Sequence, residues 1–201
     1  MSPALRKALL TAHVVFSVGW IGAVVAFLAL AIVGRGADHN TAAGVYRATD
    51  VIGLMVIVPA SSLAVVTGIV QAIITPWGLV RHRWVATKLV LGVLATAALL
   101  LHQFTAVSEA ARRSAAGVAV GSVGSQLVLD AALAIAVLVV ATVLSIYKPW
   151  GMTRYGQRRR DAAAGAEPLP RSARLGVIVG CVLVLAFMIL HLLGHGFHHG
   201  G

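Results

Sequence analysis

The sequence is poor in cysteine, in acidic residues and in charge generally. Its single cysteine, Cys181, excludes a disulfide within the chain and a metal site built from several thiolates. Only 11% of the 201 residues are charged, which is far below the range of soluble domains. The net charge of +10 therefore does not indicate a nucleic-acid-binding protein, because no soluble module is present to hold a duplex.

Long apolar runs dominate the rest of the chain, and hydrophobic residues make up 59% of it. The runs are continuous rather than alternating, which favours helices over strands. Each is near the roughly 20 residues that a helix needs to cross a bilayer. We therefore predict an all-α integral membrane bundle, one transmembrane domain over residues 1–201, with the lipid bilayer as its surroundings and five transmembrane helices at about 9–33, 51–75, 84–107, 127–147 and 175–193.

The basic residues predict the orientation of this bundle. They concentrate near the N-terminus, around Arg81 to Lys88 and in a basic loop at 148–174. Loops rich in Lys and Arg stay on the cytoplasmic side of a membrane. We expect a multi-pass protein of the cell membrane, with a cytoplasmic N-terminus and an external C-terminus.

A short repeat marks two of the cytoplasmic exits. Residues 76–81 read Pro-Trp-Gly-Leu-Val-Arg and residues 149–154 read Pro-Trp-Gly-Met-Thr-Arg. The pattern is explained equally well by duplication of a helical hairpin or by convergence on the same interfacial chemistry. Gly176 and Gly180 form a small-residue pair that permits close helix packing, so a homodimer is an open prediction.

Four histidines lie within or at the ends of the apolar runs, and they carry the functional hypothesis. An imidazole is costly to leave unpaired in hydrocarbon, so a histidine there is a candidate for a functional site. The alternative is an imidazole that only hydrogen-bonds to the backbone or to a neighbour. The four candidate ligands are His13, His102, His191 and His195.

Helix geometry separates these histidines by depth. At 1.5 Å per residue His13 lies near the cytoplasmic start of its helix, whereas His102 lies roughly 27 Å along a parallel helix. A haem between those two is therefore not expected. His102 and His191 share a level near the external face, so we predict that they ligate a b-type haem, with His195 as the substitute for His191 and His13 at a second, inner site.

The predicted role of such a haem is electron transfer or haem handling, with a redox partner, and no enzymatic activity is assigned. A competing hypothesis is a copper-binding or copper-transfer protein, because His191 and His195 project from one helix face ahead of a His-rich tail. A third hypothesis is a structural membrane subunit without a cofactor.

Three further residues are candidates for supporting these ligands. Asp50 and Asp130 lie at the external side, where a carboxylate can orient an imidazole through its second nitrogen. Helix capping and pairing with Arg47 is the alternative for Asp50. Trp20 shares a helix face with His13 at a spacing of seven residues, and that face fits a cofactor or a helix contact equally well.

The stretch from His13 to Gly22, a histidine followed seven residues later by Trp-x-Gly, resembles the first helix of CopD-like copper-resistance membrane proteins and of the DUF2269 group of bacterial integral membrane proteins. Residues 75–89, with Leu101 and His102, are similar to the helix 2–3 region of the DUF2269 group and distantly to HemJ-type haem proteins. The resemblance covers about residues 5–105. It implies a bacterial plasma membrane protein in which His13 and His102 are candidate haem or copper ligands. HemJ-type chains have four spans, so their oxidase activity is not carried over.

Overall fold

A computed structural model describes residues 2–75, 79–148 and 151–163, without the side chains of 102–104, 159, 161 and 163. This part of the chain is helical and contains no strand. Four helices are long and apolar enough to cross a membrane, and a short fifth one follows them. The predicted span at 175–193 lies outside the described residues. The helices are α1 (Pro3–Gly36), α2 (His39–Ile74), α3 (Arg83–Ala115), α4 (Ser122–Tyr147) and α5 (Arg154–Ala163).

The spanning helices are longer than the apolar runs predicted, and α2 differs most. It begins at His39 rather than near residue 51, because Asp38 caps it by accepting hydrogen bonds from the backbone N–H groups of Asn40 and Thr41. Capping by Asp50 is therefore wrong, since that residue lies inside the helix. The predicted loop at 148–174 is also partly helical, because α5 lies in it.

Two of the long helices contain a π-helical turn, at Gly53–Ile57 in α2 and at Leu99–Gln103 in α3. The first lies just before Pro59, whose missing N–H removes an ordinary helical hydrogen bond. The second includes the backbone of His102. Such a turn contains one more residue than an α-helical turn, and π turns are frequent at functional sites.

The helices form a bundle in which α1 packs against α2 and α4, and α3 packs against the same two helices. Its core is filled by large apolar side chains, among them Trp20, Phe27 and Leu127. Tyr46 is fully buried and fits because Gly34 and Gly124 present no side chain to it. Many Leu, Ile and Val side chains on the outside are exposed, as expected for a surface that faces lipid.

The two ends of the bundle differ. At one end, which we name the exit end, the segment Val80–Arg83 after α2 pairs with the segment Gly151–Thr153 after α4. The backbone N–H of Thr153 donates to the carbonyl of Arg81 over 2.9 Å, and His82 forms a β-bridge with Met152. Both segments belong to the Pro-Trp-Gly repeat or follow it directly, so the two copies meet in space.

Candidate functional site

His13 lies in the exit-end half of α1, about 15 Å from the start of the helix at Pro3. It is therefore farther from the start of its helix than an apolar run beginning at residue 9 predicts. Its side chain is half-buried against α2. The Nδ1 atom lies 2.9 Å from the carbonyl oxygen of Ala64 and 3.1 Å from Oγ1 of Thr67.

These contacts fix the protonation of the His13 ring. A carbonyl oxygen only accepts hydrogen bonds, so Nδ1 carries the proton and donates it to Ala64. The Thr67 hydroxyl donates to the carbonyl of Leu63 over 2.6 Å and can accept from the same ring nitrogen. In the neutral imidazole the lone pair is then on Nε2, the nitrogen that is left to bind a ligand.

The ring reaches these partners because Gly68 lies beneath it. A Cβ built at Gly68 would be 2.9 Å from Cε1 of His13, closer than real Cβ contacts come. A second link between the same two helices lies one turn further along α2, where Nε2 of Gln71 donates to the carbonyl of Leu9 over 2.8 Å. Thr67 and Gln71 thus present polar groups to one side of α1 within an otherwise apolar helix.

Lys88 of α3 completes this group of polar side chains, which we name the inner cluster: His13, Thr67, Gln71 and Lys88. Lys88 is close enough for its charge to act on the His13 ring. Its Nζ lies 5.7 Å from the centroid of the buried Trp84 ring, a cation–π contact. The salt bridges within the described ranges join Glu109 to Arg112 and Arg113, so none of them neutralises Lys88.

The charge of Lys88 determines which ligands suit the inner cluster. A bare metal cation next to an ammonium group is disfavoured, whereas a carboxylate or another anionic group is favoured. In the part of the chain that the structure describes, no group of three or more His, Cys, Asp or Glu side chains is arranged to hold a metal ion. A positive charge at Lys88 favours a ligand with anionic side groups.

The acidic residues predicted to support the ligands lie in the other half of the bundle. Asp50 accepts a hydrogen bond from the Ser108 hydroxyl over 3.2 Å, which links α2 to α3. Asp130 has one carboxylate oxygen buried without a hydrogen-bond donor among the described residues. Trp20 lies in the main hydrophobic core, 4% exposed, and is not part of the inner cluster.

The structure does not bring His13 and His102 together. The backbone of His102 lies about 21 Å along α3 from Lys88, the α3 residue whose charge acts on the His13 ring. The side chain of His102 is not among those described. His191, His195 and Cys181, and the pair Gly176 and Gly180, lie outside the described residues.

Sequence reasoning identified His13 but missed its partners. Thr67 and Gln71 are one turn apart in an apolar run, and this spacing is a signal that could have indicated a polar stripe facing another helix. Lys88 was used only to predict orientation. Its place beside His13 depends on how α1 and α3 are set against each other, which a single sequence does not contain.

Comparison of the chain with protein-family models, with curated proteins and with solved structures found no match.

Proposed function

We propose that this chain is a multi-pass membrane protein that binds b-type haem and has an electron-transfer or haem-handling role. The observation that supports the proposal is the orientation of His13. Its Nδ1–H is bound to the Ala64 carbonyl, which leaves Nε2 as the ligating atom. Histidines that ligate metals are usually held in this way, through the second nitrogen. When bound, haem supplies an iron that changes reversibly by one electron.

The other residues of the inner cluster suit the same group. Haem carries two carboxylate side groups, and the Lys88 ammonium is a cation without an acidic partner among the described salt bridges. Thr67 provides a second hydrogen-bond partner for Nδ1 of His13. The same positive charge makes a copper ion at His13 less favourable, so haem is the better candidate for this site.

Several finer assignments belong to the proposal as well. The pair His102 and His191, with His195 as the substitute, is proposed to hold a haem at the end opposite the exit end. The exit end is proposed to be cytoplasmic in a bacterial plasma membrane, which places the N-terminus on the same side. A redox partner and a homodimer are likewise proposed rather than observed.

The test is a visible spectrum of the full chain purified in detergent, recorded before and after dithionite, with iron and copper analysis of the same sample. We expect a Soret band that shifts on reduction. The variant His13→Ala is expected to lose the inner haem, whereas His39→Ala, an exposed histidine near the other end of the bundle, is the matched control and retains it. His102→Ala and His191→Ala test the outer pair.

Three outcomes would contradict the proposal. Stoichiometric copper without a Soret band would support a copper protein instead of a haem protein. The absence of both copper and a Soret band would indicate that the histidines only form hydrogen bonds. A Soret band of undiminished intensity per protein in His13→Ala would remove His13 as a ligand. To separate ligand loss from misfolding, His13→Gly is supplied with free imidazole, which is expected to restore the lost part of the Soret intensity if the protein is folded.

A further inference from the structure

The paired segments at the exit end form a fixed backbone platform beside the ends of α2 and α4. Besides the bond from its backbone N–H to Arg81, Thr153 donates its hydroxyl to the carbonyl of Val80 over 2.7 Å. The same hydroxyl accepts from the backbone N–H of Gly156 over 3.0 Å and so begins α5. The position of α5 is therefore tied to the segment that follows α2.

Gly156 brings α5 into direct contact with this platform. A Cβ at that position would collide with the carbonyl oxygen of Arg81 and approach its Cα at 3.1 Å. Only a residue without a side chain allows the first turn of α5 to lie against Arg81. The contact joins Arg81, in the first copy of the repeat, to the helix that follows the second copy.

The paired segments and α5 are rich in arginine. Arg81 is half-buried, and its Nε–H is buried without an acceptor in the described part of the chain. A buried guanidinium N–H left without an acceptor is costly, so its position favours an anionic group that would accept from it. Asp161 is the one acidic residue in the sequence of α5, and the exposed arginines of the segment after α2 and of α5 are Arg83, Arg154, Arg158 and Arg160.

Apolar side chains lie at the same end and are open to the surroundings. Val80 is 52% exposed next to Arg81, and the end of α4 presents Ile146 and Tyr147, which are 68% and 74% exposed. Apolar side chains do not stabilise a bound phosphate ion. They suit a phospholipid, because its acyl chains contact the apolar side chains while its phosphate accepts hydrogen bonds from the arginines.

We propose that the exit end binds the headgroup of an anionic phospholipid, with the Arg81 guanidinium as its central contact. The site is separate from the inner cluster and does not depend on haem. Its occupant belongs to the cytoplasmic leaflet in the proposed orientation, where anionic lipids are concentrated. The pairing of the segments after α2 and α4 brings together the two distant parts of the chain that form this site.

The experiment is native mass spectrometry of the full chain in detergent with added phosphatidylglycerol, and with phosphatidylcholine as the zwitterionic control. We expect selective adducts with phosphatidylglycerol, reduced about tenfold in Arg81→Gln, the loss of one charge-assisted contact. Arg47→Gln removes the same charge from an exposed position in the other half of the bundle and is expected to bind like the wild type.

Two more variants distinguish binding that depends on the geometry around Arg81 from binding that depends only on the positive charge of this end. Arg81→Lys keeps the charge but loses the planar donor group, so it is expected to bind more weakly than the wild type. Gly156→Ala keeps every charge and displaces α5, so it is expected to reduce binding as well, with Gly22→Ala as the control at a position that has open space. Melting temperatures are recorded for all variants to confirm folding.

The proposal is overturned if Arg81→Gln or Arg81→Lys binds as the wild type does, or if Arg47→Gln loses as much. Equal binding of phosphatidylcholine would also overturn it. Competition by millimolar inorganic phosphate would identify a site for a free anion instead of a lipid.

Discussion

The His13 ring lies directly against Gly68, and this contact lets α1 and α2 approach closely enough for the ring to reach the Ala64 carbonyl. The space for the imidazole is made by the missing side chain on the facing helix. Substitution of Gly68 is therefore a way to move His13 without changing it.

Gly68→Ala is expected to destabilise the protein by roughly 1–3 kcal/mol, the usual effect of overpacking a close contact. A glycine-to-alanine change in a helix otherwise tends to stabilise it. Gly92→Ala is the matched control, since a Cβ there would make an ordinary 3.7 Å contact with Val65. Thermal unfolding in detergent measures both, and equal melting temperatures for the two variants would contradict the close contact.

The buried Tyr46 hydroxyl offers a second test. It has no hydrogen-bond partner among the described residues, and a Cβ at Gly124 would be 2.6 Å from it. Tyr46→Phe is therefore expected to be neutral or stabilising, because it removes a buried polar group that makes no bond. Gly124→Ala is expected to destabilise the wild type strongly and the Tyr46→Phe background less.

The double-mutant cycle of these two changes measures their coupling directly. We expect an interaction energy of roughly 0.5–3 kcal/mol, the range for residues in contact. Additive effects would mean that the hydroxyl does not meet position 124.

Asp38 makes the start of α2 dependent on pH. Hydrogen bonds from the Thr41 hydroxyl and backbone, and from the Asn40 backbone, hold the pKa of Asp38 below its ordinary value of 3.8. A carboxyl with a lowered pKa in the folded state stabilises it above the unfolded pKa, and the effect is lost as the pH falls through the folded pKa. We expect amide exchange at residues 40 and 41 to be protected at neutral pH and to lose protection below pH 3.8, relative to neighbouring amides.

Asp38→Asn is the control for this pH effect. Asparagine is also a good helix cap, but it does not titrate. Its amides at 40 and 41 are expected to show protection that no longer changes across this range, and an unchanged pH dependence would exclude Asp38 as the source.

Ser108 links α3 to the carboxylate of Asp50, whereas Ser145 donates only within its own helix, to the carbonyl of Ala141. Ser108→Ala is expected to cost about 1–3 kcal/mol, because a half-buried carboxylate loses its donor. Ser145→Ala is expected to change stability little. Equal effects on the free energy of unfolding would argue against a link between the two helices at this point.

The four described spans were predictable because each contains an apolar run of membrane length. The first part of α2 was not found because it is amphipathic rather than uniformly apolar. Its buried residues Ala42, Tyr46 and Thr49 follow helical spacing, and with Asp38 as the cap they could have indicated a helix. Hydropathy alone overlooks such a segment.

The site was only partly predictable. His13 stands out because imidazole is rare in apolar helices, but Ala64 reaches it through a backbone carbonyl, which no sequence pattern marks. The approach of Lys88 depends on the relative rotation of three helices. Histidine positions were therefore a guide to where a site lies and a weak guide to what surrounds it.

The π turn at Gly53–Ile57 determines how the two halves of α2 are aligned. An extra residue in a helix rotates everything beyond it by about 100° about the helix axis. The π turn therefore determines the angle between the face of α2 that buries Tyr46 and the face that carries Thr67. Deleting one residue there would leave a regular helix and rotate one half out of contact with α1. The length of this segment is consequently constrained more tightly than its composition, and insertions or deletions are tolerated less well in it than substitutions.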